Sequence, residues 1–263
     1  MIAKDFQEAT AVRIVDLFQS GHKRVLLADE VGLGKTIVAK TVVEKTEEWC
    51  QKDDEDFVVI YICSNAGIAD QNCSKLGIDN EHRVRISEGR LSMQHLMLAE
   101  AKKKGNVRLI PMTPATSFQM RSGAGTAPER ALAYIIMHKS HICGTYSEEL
   151  SLFLRTSFIE TEESWQRYVK WQNTRIEQLS DKKTYLKEIK QLVNDGFTPE
   201  LISEIKSVCR KIRKKIKKVK KTARLDGIIS WKQQRDLINR IRYCFAQISL
   251  GMLNPKLVIM DEF

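Results

Sequence analysis

The stretch ADEVGLGKT, Ala28 to Thr36, decides how the rest of the chain is read. It lies between a short apolar run, Val25–Ala28, and TIVAKTVVEKTEEW, Thr36–Trp49, which has the composition of a helix. Strand, glycine-rich turn and helix are the context a phosphate loop requires. The general pattern is G-x-x-x-x-G-K-[ST]; Gly34-Lys35-Thr36 fits it, and Asp29 stands at the first glycine position. The chemistry survives that departure. Gly32 and Gly34 let the backbone curl around Leu33 so that N–H groups point at phosphate oxygens. The helix that follows adds its positive N-terminal end. Lys35 is expected to pair with the β- and γ-phosphates of a nucleoside triphosphate, and the Thr36 hydroxyl to ligate magnesium.

Working outward, FVVIYICS (Phe57–Ser64) is apolar on both faces, as in a buried parallel strand. VRLIPM (Val107–Met112) reads as another short strand before the turn TPATSF, and KLVIMDEF (Lys256–Phe263) as a last one. Asp261 and Glu262 then fall at a strand's C-terminal edge, where ligands bind in open α/β sheets. One carboxylate there suits a magnesium ion, and the second suits the orientation or deprotonation of an attacking water. Strands alternating with helices argue for a parallel sheet built from right-handed crossovers.

Between about Ala131 and Leu253 the texture changes to charged helices. Ile205, Cys209, Ile212, Ile216, Val219 and Ala223 recur at steps of four and three, as in a heptad seam. The expected fold is therefore α/β: a parallel-sheet, RecA-like phosphate-loop NTPase domain over residues 1–130 and 251–263, interrupted by a large, basic helical insertion over 131–250. From Arg210 to Lys221 nine of twelve residues are basic, within a net charge of +10. Lys214 and Lys218 are candidates to neutralise the phosphates of a nucleic acid; a solvated coiled-coil exterior explains the same residues. No aromatic ladder interleaves them, so base stacking is not indicated.

Composition narrows the field further. The six cysteines are scattered with no C-x-x-C pair, which suggests neither a zinc site nor a disulfide framework. In HKSHIC, His138, His141 and Cys143 lack a fourth ligand for a metal. No apolar run is long enough to span a bilayer, and MIAKDFQEATAVRIV lacks the parts of a secretory signal, so no membrane partner and a cytoplasmic location are expected.

ADEVGLGKT resembles the first motif of superfamily-two helicases, above all Swi/Snf-type proteins and related bacterial DNA-dependent ATPases, which also place Asp at the position of Asp29. Asp261-Glu262-Phe263 resembles the start of their D-E-x-x motif. The resemblance implies ATP and Mg2+ as ligands. It makes Lys35 and Thr36 phosphate and magnesium ligands, Asp261 the organiser of magnesium and Glu262 the activator of water. Gln7, 28 positions before Lys35, resembles the glutamine that reads adenine in many of these proteins; a solvated polar residue on a helix is an equally good description. Tyr61–Asn72 resembles motif Ia, in which Ser64 and Asn65 would touch the nucleic-acid backbone, although a helix-capping turn reads the same way. Thr113-Pro114 resembles the turn of motif Ib. The match is to scattered motifs over the whole chain. The gap of 148 positions from Thr113 to Asp261 exceeds what a compact core needs, and the sequence stops before a second RecA-like domain. The implied function is the N-terminal ATPase half of a helicase or translocase, with DNA favoured over RNA and with the second domain in the same or an adjacent chain. Two alternatives are a nucleic-acid-binding module with a vestigial nucleotide site and a phosphate-loop ATPase of signalling or transport type.

Overall fold

The structure, a computed structural model, describes residues 3–30, 32–52, 57–78, 82–83, 90–104, 109–115, 117, 123–159, 161–222 and 224–261. The chain divides into two compact units. One comprises Met1–Arg90, Lys104–Phe118 and Asn254–Phe263; the other comprises Leu91–Lys103 and Gln119–Leu253.

The first unit is built on a parallel three-stranded sheet. Its strands are β1 (Val59–Cys63), β2 (Leu109–Met112) and β3 (Leu257–Asp261), in the order β2-β1-β3. Val59 is in register with Leu109 on one side and Leu257 on the other, and Cys63 with Asp261. The central strand VIYIC is nearly all buried, as a strand covered on both faces must be. The helices α1 (Asp5–Gln19), α2 (Lys35–Lys52) and α3 (Ala66–Cys73) supply the rest of this core. Ala11 and Val15 of α1, Val38, Val42 and Val43 of α2, and Ala69 and Cys73 of α3 close over Val59, Tyr61, Cys63 and Leu257.

One expectation fails here. Val25–Ala28 is not a strand: residues 22–30 carry no regular secondary structure, and Leu26 is 89% exposed. Four apolar residues between Lys23-Arg24 and Asp29-Glu30 bury too little to fix a ladder. Instead Val25, Leu26 and Leu27 line a groove with Ala9, Arg13, Ile14 and Leu17 of α1, and only Leu27 packs onto the core. Helices accordingly outweigh strands across the described residues.

The second unit is all helix: α4 (Gln94–Lys104), α5 (Ala127–Lys139), α6 (Ser147–Arg155), α7 (Glu162–Glu177), α8 (Lys182–Gly196), α9 (Pro199–Lys214), α10 (Ile216–Thr222) and α11 (Trp231–Leu253). Local sequence sets their starts. Thr126, Thr161, Asp181 and Thr198 each accept a backbone N–H three residues on, and Pro128 and Pro199 occupy first turns, where a missing N–H costs nothing. The apolar stripe Ile205, Cys209, Ile212 and Val219 is buried in one continuous core with Phe153, Trp165, Ile189 and Ile241. A single helix was expected from that stripe, but α9 ends at Lys214, and Lys215, at φ −120°, begins a fresh turn. The unit also starts earlier than expected. Leu91–Lys103 and 119–130, read as sheet-domain sequence, belong with the helices. The reason is long-range packing: the turn Leu91–Met93 lies against α11, and the His95 N–H donates to Ser249 Oγ at 3.1 Å.

Candidate nucleotide-binding site

The loop Ala28–Thr36 does enter a helix N-terminus, since α2 begins at Lys35. Gly32 (φ 93°) and Gly34 (φ 82°) both adopt the left-handed conformation that glycine alone takes at little cost. Ile37 and Val38 N–H donate to the Gly34 carbonyl at 2.8 and 3.2 Å, which fixes the first turn. The N–H groups of Lys35 and Thr36 stand at the head of that turn, where helix geometry offers them no acceptor. Such groups, with the positive end of the helix dipole, suit an anion. The Lys35 ammonium donates to the loop's own carbonyls, Asp29 O at 2.9 Å and Glu30 O at 3.3 Å. It therefore sits over the curl of the loop rather than out in solvent.

Gln7 is not a solvated helix residue. It is 4% exposed; its Nε2 donates to Leu33 O at 2.9 Å, and its Oε1 accepts from Lys4 N at 2.9 Å. The amide thus clasps the phosphate loop from α1. A β-carbon at Gly34 would push the Gln7 amide aside, and the positive φ there favours glycine in any case.

At the other motif, Asp261 ends β3, and α2 packs against that strand. Asp261 Oδ2 accepts from Tyr61 Oη at 2.6 Å and from Asn72 Nδ2 at 3.3 Å; Asn72 Nδ2 also donates to Tyr61 Oη at 3.0 Å. Burial, with the neighbouring carboxylate, pushes the Tyr61 phenol well above its ordinary value, so it stays a donor at neutral pH. Tyr61 and Asn72 had no individual role in the sequence reading. Their separations from Asp261, 200 and 189 residues, leave no local signal. Glu262, the expected water activator, lies outside the described residues.

The residues expected to touch nucleic acid divide three ways. Ser64 is exposed at the end of β1. Asn65 is the N-cap of α3, its Oδ1 accepting from Ile68 N at 3.0 Å, so only its amide N–H groups are left for a phosphate. Thr113 is fully buried, and its N–H donates to Ser117 Oγ at 3.3 Å; the exposed residues of that turn are Pro114 and Ala115. In the helical unit, Lys214 at the end of α9 and Lys218 on α10 are both exposed.

His138 stacks on Tyr134, and Cys143 is buried in the core. Among the described residues no group of three or more His, Cys, Asp or Glu side chains is placed to hold a metal, and no helix is long and apolar enough to cross a membrane.

Against known proteins, no family model, no curated protein and no solved structure matches the chain, so its functional reading rests on its own residues.

Proposed function

We propose that the sheet unit is the ATP-binding half of a nucleic-acid-dependent ATPase of the superfamily-two helicase or translocase type, acting in the cytoplasm. The observation that carries this reading is the loop itself. Two left-handed glycines, a lysine folded over the curl and a helix N-terminus converge there, and α2 packs on the strand that ends in Asp261. Lys35 exchanges carbonyl oxygens for phosphate oxygens, and charge-assisted bonds of that kind are the strong ones. Thr36 and Asp261 would hold magnesium, which neutralises charge on the phosphates; Oδ1 of Asp261 is the oxygen that Tyr61 and Asn72 leave over. Leu33 lends its backbone to the loop, and Gln7 holds that backbone in place. Glu262 follows Asp261 in the sequence, and the resemblance gives it the role of activating water.

A titration with fluorescent ATP tests this reading, run once with magnesium and once with a chelator. Saturable, magnesium-dependent binding is expected, and Lys35→Ala weakens it by about tenfold to a hundredfold, the worth of a hydrogen bond to a charged group. No binding by the unaltered chain at high concentration, or equal binding by Lys35→Ala, sinks the proposal.

The engagement of Asp261 by Tyr61 and Asn72 favours a second reading, a nucleic-acid-binding module whose nucleotide site is vestigial. It predicts DNA binding that ignores ATP and survives Lys35→Ala.

A further inference from the structure

The helical unit sorts the basic segment Arg210–Lys221 into two sets. On the side facing α6 the cations are neutralised. Arg213 pairs with Glu149 at 2.7 Å, donates to Thr145 O at 2.7 Å and lies over the Tyr146 ring, while Lys220 pairs with Glu148. On the outward side Lys211, Lys214, Lys217, Lys218 and Lys221 are exposed, and no carboxylate among the described residues pairs with them. Within each helix the two sets follow from periodicity. Ile205, Cys209 and Ile212 of α9 and Val219 of α10 are buried in the core, while Lys211 and Lys214, three apart on α9, and Lys218 and Lys221, three apart on α10, stay exposed. The last turn of α9 is favourable ground for cations, because the negative end of the helix dipole lies there.

Beside these lysines α10, with Lys215 before it and the turn that follows, forms a pocket of about 440 Å³. Lys215, Lys218, Thr222 and Arg224 line it over an apolar floor of Val219 and Ile228, with Asp226 as the one acid in the lining. Lys215 is tied to the Gly227 carbonyl at 3.1 Å, which joins α10 to the turn that carries Arg224. Three cations against one carboxylate leave the pocket positive, with room for more than a single phosphate group.

We infer that the outward face of α9 and α10, with the Lys215–Lys218–Arg224 pocket, is a docking surface for the phosphate backbone of a duplex nucleic acid. This shares the nucleic-acid partner with the ATPase reading but does not depend on the nucleotide loop. The exposed lysines run from Lys211 on α9 to Lys221 on α10, so the charge is spread over two consecutive helices. A small anion needs no such run of charge, whereas duplex DNA presents one phosphate per about 1.7 Å of axis. A lipid surface fits poorly. Membrane-surface helices expose an apolar face beside the cations, but none of the exposed large hydrophobic residues lies on α9 or α10, whose apolar stripe is spent in the core. A single strand fits poorly too, because no aromatic side chain on this face offers a base something to stack on.

The test uses the whole chain and a fluorescent 20-base-pair duplex, about the length of two helical turns, with anisotropy followed across a salt series. The triple variant Lys215→Ala, Lys218→Ala, Arg224→Ala is compared with Lys183→Ala, Lys187→Ala, Lys190→Ala, which removes equal charge from exposed positions on α8. The first triple is expected to bind about tenfold more weakly at low salt. Its log–log salt slope should be shallower by about 0.9 for each phosphate no longer neutralised. The α8 triple should stay within about twofold of the unaltered chain. Equal losses in the two triples, or no loss in the first, overturn the inference, as does tighter binding to anionic phospholipid vesicles or to a single strand than to the duplex. Circular dichroism of both triples shows whether the helices are intact. If they are not, Lys218→Glu alone carries the test, with the same loss expected. Fluorescent ATP titrated in parallel separates the two proposals: duplex binding without nucleotide binding retains this surface and removes the ATPase reading.

Discussion

At the centre of the helical unit charges are sealed in pairs; at the candidate nucleotide site of the sheet unit they stand at open ends. Glu129 and Arg242 meet at 2.8 Å with side chains 2% exposed, joined by the Ser92 hydroxyl and by Asn239, which accepts from Arg242 at 2.7 Å. Arg130 beside them gives its guanidinium to the carbonyls of Leu154, Ala124 and Gly125. Each group there has its partner from within the fold, and a buried pair is costly only when one member is lost. Lys35, Thr36 and Asp261 sit instead at a helix start and a strand end, with Lys35 and Asp261 each held by a few hydrogen bonds. Satisfied burial makes a scaffold; charged groups at element ends make a place for a ligand. The division tells where a substitution should change stability and where it should change binding.

The largest expected effect breaks the scaffold alone. Glu129→Ala strands Arg242 in the core and should cost about 3–5 kcal/mol, read as faster hydrogen exchange through α5 and α11, with nucleotide affinity unchanged. A loss below about 1 kcal/mol, the scale of an exposed pair, would mean that this ion pair is not buried in solution.

The next effect is a matter of pH. Burial pushes His95 from 6.5 down to about 3, so the folded helical unit holds it neutral while the unfolded chain protonates it. Below the unfolded value the unfolded state binds the extra proton. Stability from this group is therefore complete above about pH 6.5 and falls by roughly 1.4 kcal/mol per unit as the pH drops toward 3. Denaturant midpoints of the unaltered chain and of His95→Asn should diverge in shape over that window; parallel curves would assign the acid sensitivity elsewhere.

The smallest effect probes the open side. Tyr61→Phe removes the phenol that holds Asp261 and should cost the sheet unit about 1 kcal/mol. The magnesium concentration needed for nucleotide binding should shift with it. If that concentration does not move, Asp261 is not the metal's ligand.

Much of the scaffold was legible because apolar spacing is local. Ile205, Cys209 and Ile212 are buried where a heptad seam puts them, and Val59–Cys63 is a strand because an unbroken apolar run of that length is spent on two faces. Val25–Ala28 misled because a short apolar run followed by a glycine loop has the same pattern whether or not it joins a ladder. Gln94 and His95 carried no signal in the sequence. Both are fully buried, and His95 meets Tyr185 Oη at 3.0 Å, a partner 90 residues away that no window contains. At the candidate site the loop glycines, Lys35 and Asp261 stood out by residue type. The hold of Tyr61 and Asn72 on Asp261 depends on which strands pair, and the pocket of Lys215 and Arg224 on how the turn after α10 folds back to Lys215.

The fit between Gln7 and Gly34 has a meaning for descent as well as for binding. The amide of one residue fills the volume that a methyl group on the other would need. A lineage that altered position 34 first would meet both that collision and an unfavourable φ. One that shortened Gln7 first would remove the collision, release the Leu33 carbonyl and still face the φ. The two positions, distant in the chain, are sterically coupled, and a change at Gln7 alone does not make position 34 free to take a side chain.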